Sequence, residues 1–345
     1  MIDRTFCNRA RRLLLAVLVA LAPAAAEAAC GGRDLFAPLE TQDPVRYAAI
    51  LEAASTVPNG EGRLWRITGP DGGVSHLFGT YHDTEAAALM SPQARSAFGE
   101  AERLVLEISE AELAAMEARM ASDPFMSMRS QPIDPALLMA GLDARQRRAM
   151  EAALATRGLT VEVAAALQPW LLFAMFGVPA CQIEASAQGT PVLDRQLADD
   201  AVARGVPVDG LESFTEALSV FSRFDDADTA LMLRDALSVV ALQEDIRRTL
   251  LNLYGRGQIG VIQSFTEDLT RDLLPGDPEE AIERNEALLS ELLDARNVMW
   301  MEKLPPLLAG GGAFVAVGAL HLPGEVGMVA LLREAGYAVE ALPEG

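Results

Sequence analysis

The sequence is poor in basic residues: 28 Lys and Arg stand against 49 Asp and Glu, a formal net charge of −21. Such a surface lacks the phosphate-neutralising cations that nucleic-acid binding needs, and it disfavours docking on anionic lipid. Long apolar runs are missing too. The run Leu13 to Ala22 covers ten residues and Leu171 to Pro179 is no longer, whereas a membrane span needs about 20. No Gly-x-Ser-x-Gly, His-Glu-x-x-His or P-loop pattern occurs, so the usual signatures of a serine hydrolase, a zincin or a P-loop nucleotidase are absent. Histidine and cysteine are rare, with three of each.

What is present begins with a leader. Arg4, Arg9, Arg11 and Arg12 precede the apolar run, and Pro23 and a small-residue stretch ending Ala26-Glu27-Ala28 follow it. This is the order of a secretory signal over residues 1–28. It predicts an exported protein, periplasmic or extracellular, with no stable membrane insertion once the signal is removed. Cys7 leaves with the leader. Cys30 and Cys181 remain, and the sequence leaves open whether they form one disulfide or stay unpaired. Half of the residues are apolar, enough to bury a large core.

Residues 29–345 read as one α/β domain. Strands are expected over Arg63 to Thr68 and Val74 to Thr80, joined by hairpin chemistry at Asp71-Gly72-Gly73. Ser91-Pro92 opens a helix reaching about Glu102. Leu104 to Ile108 is a buried strand carrying Glu107 near its end. Residues 110–180 are rich in Ala, Leu and Met with helical spacing. The scattered Met116, Met120, Met126, Met128, Met139 and Met150 are read as core or groove filling and not as a copper stripe. A helix over Leu193 to Arg204, a short strand Val206 to Val208, and helical regions over 212–253 and 278–308 follow. Ala313 to Val317 is a strand, Pro323 to Ala335 a helix and Tyr337 to Leu342 a last strand. The central sheet is thus expected from segments 60–110 and 310–345, around a mostly helical middle, 111–308.

Two of the three histidines end the same pattern: Gly79-Thr80-Tyr81-His82 and Gly318-Ala319-Leu320-His321. Each follows an apolar strand and precedes a helix, which places each His beyond a strand's carboxyl end, where open α/β sheets put their sites. The glycine allows a tight turn or close backbone approach. Two imidazoles and one carboxylate form a common catalytic metal set, and Glu107 is the preferred acid over Glu85, Glu212 and Glu325. His76, about 20 Å from His82 along a continuous strand, is read as a strand residue. The alternative is that the motifs are turn glycines beside hydrogen-bonded histidines.

At these residues the chain resembles the TraB/GumN family, which includes the Tiki-type proteases. The resemblance runs from about Leu64 to Leu342. It rests on Leu77-Phe78-Gly79-Thr80-Tyr81-His82, Leu104-Val105-Leu106-Glu107, Leu193-Asp194, Gly210-Leu211-Glu212-Ser213, Leu253-Tyr254-x-x-Gly257 and Arg296-Asn297-x-Met299. The most specific stretch is Phe314-Val315-Ala316-Val317-Gly318-Ala319-Leu320-His321-Leu322-x-Gly324. It implies a fold similar to ChaN-like and erythromycin-esterase-like proteins. It also implies a metal-dependent peptidase with His82, His321 and Glu107 as ligands of a divalent ion, manganese or cobalt, with zinc possible. Arg296 and Asn297 become polar cleft residues that steady an oxyanion, unless Arg296 holds a carboxylate ligand, and Glu212 a ligand support or general base. Two further readings stand beside it. One is a haem- or metal-binding protein without catalysis, in which Tyr81 and His82 offer axial ligands. The other is a protein that sequesters a peptide signal in its helical middle. The substrate, if there is one, is a peptide or protein, and the oligomeric state is left open.

Overall fold

The computed structural model describes residues 30–122, 134–224 and 226–344. The leader read over 1–28, together with Met126 and Met128, lies outside them, as do the side chains of Met116 and Met120.

Six strands form one mixed sheet: β1 Leu64–Thr68, β2 Val74–Thr80, β3 Arg103–Ile108, β4 Val208–Glu212, β5 Ala313–Gly318 and β6 Ala338–Ala341. Their order is β4-β3-β5-β2-β1-β6. The inner strands β2, β5 and β3 and the edge strand β4 run parallel, while β1 pairs antiparallel with β2 and β6. The β1–β2 link is the expected hairpin. Gly72 takes φ +81 at its tip and Gly69 N donates to the Gly73 carbonyl at 2.8 Å.

Alternate residues of each inner strand enter different cores. Phe78, Leu104, Leu106, Phe314 and Ala316 face one side; Leu77, Val105, Val315 and Val317 face the other. The first face is covered by α1 Pro44–Ser55, α2 Pro92–Gly99, α7 Leu193–Ala203, α10 Gln243–Gly255 and α11 Ile259–Leu273. The second is covered by α13 Ala295–Leu308 and α14 Met328–Glu334. Strands buried on both faces need near-continuous apolar runs, which is why Ala313 to Val317 is legible as a strand. Each fully buried Leu or Phe here contributes about 2 kcal/mol.

The helical middle holds α3 Glu110–Ser122, α4 Ala144–Ala155, α5 Pro169–Gly177, α6 Ala180–Ala187, α8 Phe214–Ser219, α9 Asp226–Val239 and α12 Pro278–Leu289. Part of it has its own core, built on Met150, Leu154, Leu172, Phe176, Leu233 and Leu237, with Met139 against it. The two described methionines are therefore packing residues. No helix among the described residues is long and apolar enough to cross a membrane.

Three boundaries differ from the sequence reading. The short strand starts at Val208 and runs to Glu212, so one sheet strand comes from the middle segment. Gly210 hid it: a Cβ there would stand 2.7 Å from Ser109 N, so the position takes only glycine although glycine is a poor strand former. The helical region expected from 212 to 253 is broken into α8, a 3₁₀ turn, α9, a second 3₁₀ turn and α10. The last helix begins at Met328 and not Pro323, because Gly324 takes φ +94 and turns the chain first. Cys30 and Cys181 are bonded, their Cα atoms 5.3 Å apart, which settles the pairing left open by the sequence.

Candidate functional site

β5 lies between β2 and β3 and runs parallel to both, so the three strands end at the same edge. Gly79 pairs with Val317 and Thr80 with Gly318, which sends the two Gly-x-x-His motifs out of the sheet side by side. Glu107, next to last in β3, joins them from the other flank. Both glycines serve close approach. A Cβ on Gly79 would meet Ala319 Cα at 2.9 Å. A Cβ on Gly318 would lie 3.2 Å from Glu107 Oε1, 3.5 Å from His321 Cδ2 and 3.7 Å from His82 Nε2. Three side chains from three strands thus surround one point, and the two rings stand no more than about 7 Å apart, within reach of one ion whose bonds to nitrogen are ~2 Å.

His321 is 3% exposed, in the 3₁₀ turn after β5. Its Nδ1 meets Asn297 Oδ1 at 2.7 Å. Asn297 Nδ2 donates to the carbonyls of His321 (3.2 Å) and Val326 (2.9 Å), so its Oδ1 must be the acceptor and His321 Nδ1 must carry the hydrogen. The lone pair is then on Nε2. Burial holds the ring's pKa down to about 3, so it is neutral at pH 7. The Trp300 ring lies 4.4 Å away, centroid to centroid.

Arg296 fills the floor. A π-helical turn, Ser290–Asp294, leads into α13, and Arg296 Nη1 returns to the Leu292 carbonyl at 3.0 Å. The same nitrogen lies 3.3 Å from His321 Nε2. Nη2 donates to Glu107 Oε2 at 2.7 Å and to Glu212 Oε1, and Nε reaches Glu212 at 3.0 Å. All five of its N–H groups are committed. Glu212, at the end of β4, has a fully buried side chain; burial raises its pKa and Arg296 pulls against that rise. Glu107 moves the other way. Burial would raise it, but His321, His82, Arg296 and the Gly318 N–H (2.7 Å) outweigh burial and hold it near 2. At neutral pH His321 is uncharged, so that pull then falls to Arg296, the Gly318 N–H and His82, whose pKa Asp194 raises.

His82 is the open wall, with 60% of its side chain exposed. Its Nδ1 meets Asp194 Oδ2 at 2.8 Å, and Thr80 Oγ1 donates to Asp194 Oδ1 at 2.7 Å. A carboxylate only accepts, so Nδ1–H points at Asp194 and Nε2 faces Gly318. The charge of Asp194 raises the His82 pKa; solvent at so exposed a ring screens part of that pull.

Asp194 and Thr80 are site residues that residue chemistry alone did not select. Asp194 lies 112 positions from His82, and its one signal was the Leu193-Asp194 match to the family pattern. His76 sits mid-strand opposite Arg66 and Phe314, away from the site. Glu85 is bound to Arg247 and Arg248, and Glu325 is exposed. Tyr254 is structural: it donates to the Gly79 carbonyl at 2.9 Å and stacks on Tyr81. Asn297 has no N–H left for an oxyanion, and neither has Arg296, which holds two carboxylates.

The donor set suits a divalent ion: two imidazoles whose Nδ1–H groups are pinned by acceptors and whose Nε2 atoms face a carboxylate are arranged as metal-binding histidines are. The spacing fits only in part. Among the described residues no group of three or more His, Cys, Asp and Glu side chains is already spaced as a cage, and Arg296 Nη1 occupies the His321 lone pair.

A comparison with curated proteins finds no match. A comparison with solved structures finds none either. The sequence profile of the TraB/PrgY/gumN family matches residues 63–341, which takes in every strand and every site residue described above. On that match the chain belongs to the TraB/PrgY/gumN family.

Proposed function

We propose that the chain is a divalent-ion-dependent hydrolase acting on peptides or proteins in the bacterial envelope. The observation that carries this reading is the convergence of His82, His321 and Glu107 around Gly318. The leader and the Cys30–Cys181 bond support export to an oxidising compartment. Likeness to ChaN-like and erythromycin-esterase-like folds belongs to the same proposal. Tyr81, stacked on Tyr254, is poorly placed to ligate haem.

In this reading His82 and His321 hold the ion through Nε2, with Asp194 and Asn297 fixing the rings through Nδ1. Manganese or cobalt is the first expectation, zinc the next. Bound there, the ion supplies a Lewis acid and an acidic water. Glu107 is the carboxylate, steadied by Gly318 N–H and Arg296. Arg296 Nη1 must leave His321 Nε2 and can keep its bond to Leu292. Glu212, buried behind Arg296, anchors that guanidinium and is out of reach as a base.

Calorimetry with Mn²⁺, Co²⁺ and Zn²⁺ and a chelator-controlled peptide-library assay test the proposal. His82→Ala and His321→Ala should each weaken binding at least about tenfold and abolish hydrolysis. A His82→Ala chain that binds the ion as tightly as the native chain overturns the reading.

A further inference from the structure

The Cys30–Cys181 cross-link joins the start of the described chain to α6. Its neighbour Gln182 is 5% exposed. Gln182 Oε1 accepts the amide of Thr84 at 3.0 Å, and its Nε2 lies 3.1 Å from Cys30 Sγ. The Thr84 N–H can only donate, which fixes the orientation of the Gln182 amide. Thr84 is two residues beyond His82.

A second path runs in parallel. Arg248 donates to the Cys30 carbonyl at 3.1 Å and to Glu85 at 3.1 Å. Its neighbour Arg247 clamps Asp83 with bonds of 2.6 and 2.8 Å and reaches Glu85 at 2.6 Å. The segment 83–85 is thus tied to α6 and α10, and Cys30 connects both. None of these contacts involves the His321 wall.

We propose that Gln182 is a positioning residue for His82, held in place by the Cys30–Cys181 bond, so that reduction of this bond by a dithiol loosens residues 83–85 and the His82 ring with them. One thiolate of the reductant attacks a cystine sulfur and the other cysteine leaves as its thiolate. The reductant's second thiol then closes an intramolecular disulfide and releases the remaining cysteine. Two electrons pass from reductant to protein. Cys181 is half-buried, which leaves the bond open to attack.

Hydrogen exchange on the full chain tests this, comparing peptides covering 82–86 and 319–323. Dithiothreitol and Gln182→Leu should each speed exchange at Thr84 roughly fivefold, the worth of one hydrogen bond. Together they should do no more at Thr84 than the larger of the two alone, because its amide bonds to Gln182, the link that both treatments break, and 319–323 should not change. Mn²⁺ affinity should fall by a similar factor, an arm that rests on the metal reading above. If Mn²⁺ binds neither form, that reading fails and exchange still decides this one. Thr84 protection that survives reduction, or two effects that multiply, overturns the proposal. A Cys30→Ser/Cys181→Ser chain should match the reduced protein; if it misfolds, the reduced native chain and Gln182→Leu remain decisive.

Discussion

The two motif histidines stand on unlike walls. His321 is buried against Trp300, its tautomer set by Asn297, and its floor is an arginine with every hydrogen committed. His82 is mostly exposed, paired with Asp194, and carried by a loop tied to distant helices. One wall is a preformed fixture of the core and the other is adjustable. The difference arises from partners that neither motif contains.

Arg296→Ala should break the comparison hardest. It leaves Glu107 and Glu212 buried without their cation, a loss of about 3–5 kcal/mol, readable by urea denaturation. Asn297→Leu strands the His321 Nδ1–H and two carbonyls, and should cost about 2 kcal/mol and change the ring's nitrogen chemical shifts. On the adjustable side the effects shrink. Burial raises the Glu85 carboxyl, and the hydrogen bonds and charges of Arg247 and Arg248 more than reverse that, so its folded pKa is lowered. Its contribution is therefore complete above the ordinary carboxylate range and disappears as pH falls through it. Stability measured from pH 6 to pH 3 should drop, and by less in Glu85→Gln. Smallest is Asp194→Asn: less than about 1 kcal/mol for a pair whose His82 ring is mostly exposed, with the His82 titration point moving down by NMR. A loss as large as that of Arg296→Ala would erase the distinction between the walls.

Much of this was legible beforehand. Apolar runs ending in Gly-x-x-His predict two strands with matching exits, and a parallel sheet brings such exits together. Glu107 followed from the same logic. Asn297 was named as a cleft residue, but its part in orienting His321, like that of Asp194 for His82, was not, because orientation of a ring is decided by tertiary neighbours 24 and 112 positions away. Glu212 and Arg296 were named, but their burial and mutual pairing depend on β4, which Gly210 disguised. The cross-link between Cys30 and Cys181 spans 151 positions, a separation over which sequence carries no distance.

The position of β5 has a consequence for how the molecule is made. It lies between β3 and β2 in the parallel set, yet it begins only at Ala313, far along the chain from β3, which ends at Ile108. During synthesis β2 and β3 must wait with open edges, a state prone to wrong pairing, until β5 slots between them. Such long-range closure is slow, and a chain cut short before that strand has neither a continuous sheet nor the second motif histidine, His321, to bring to His82.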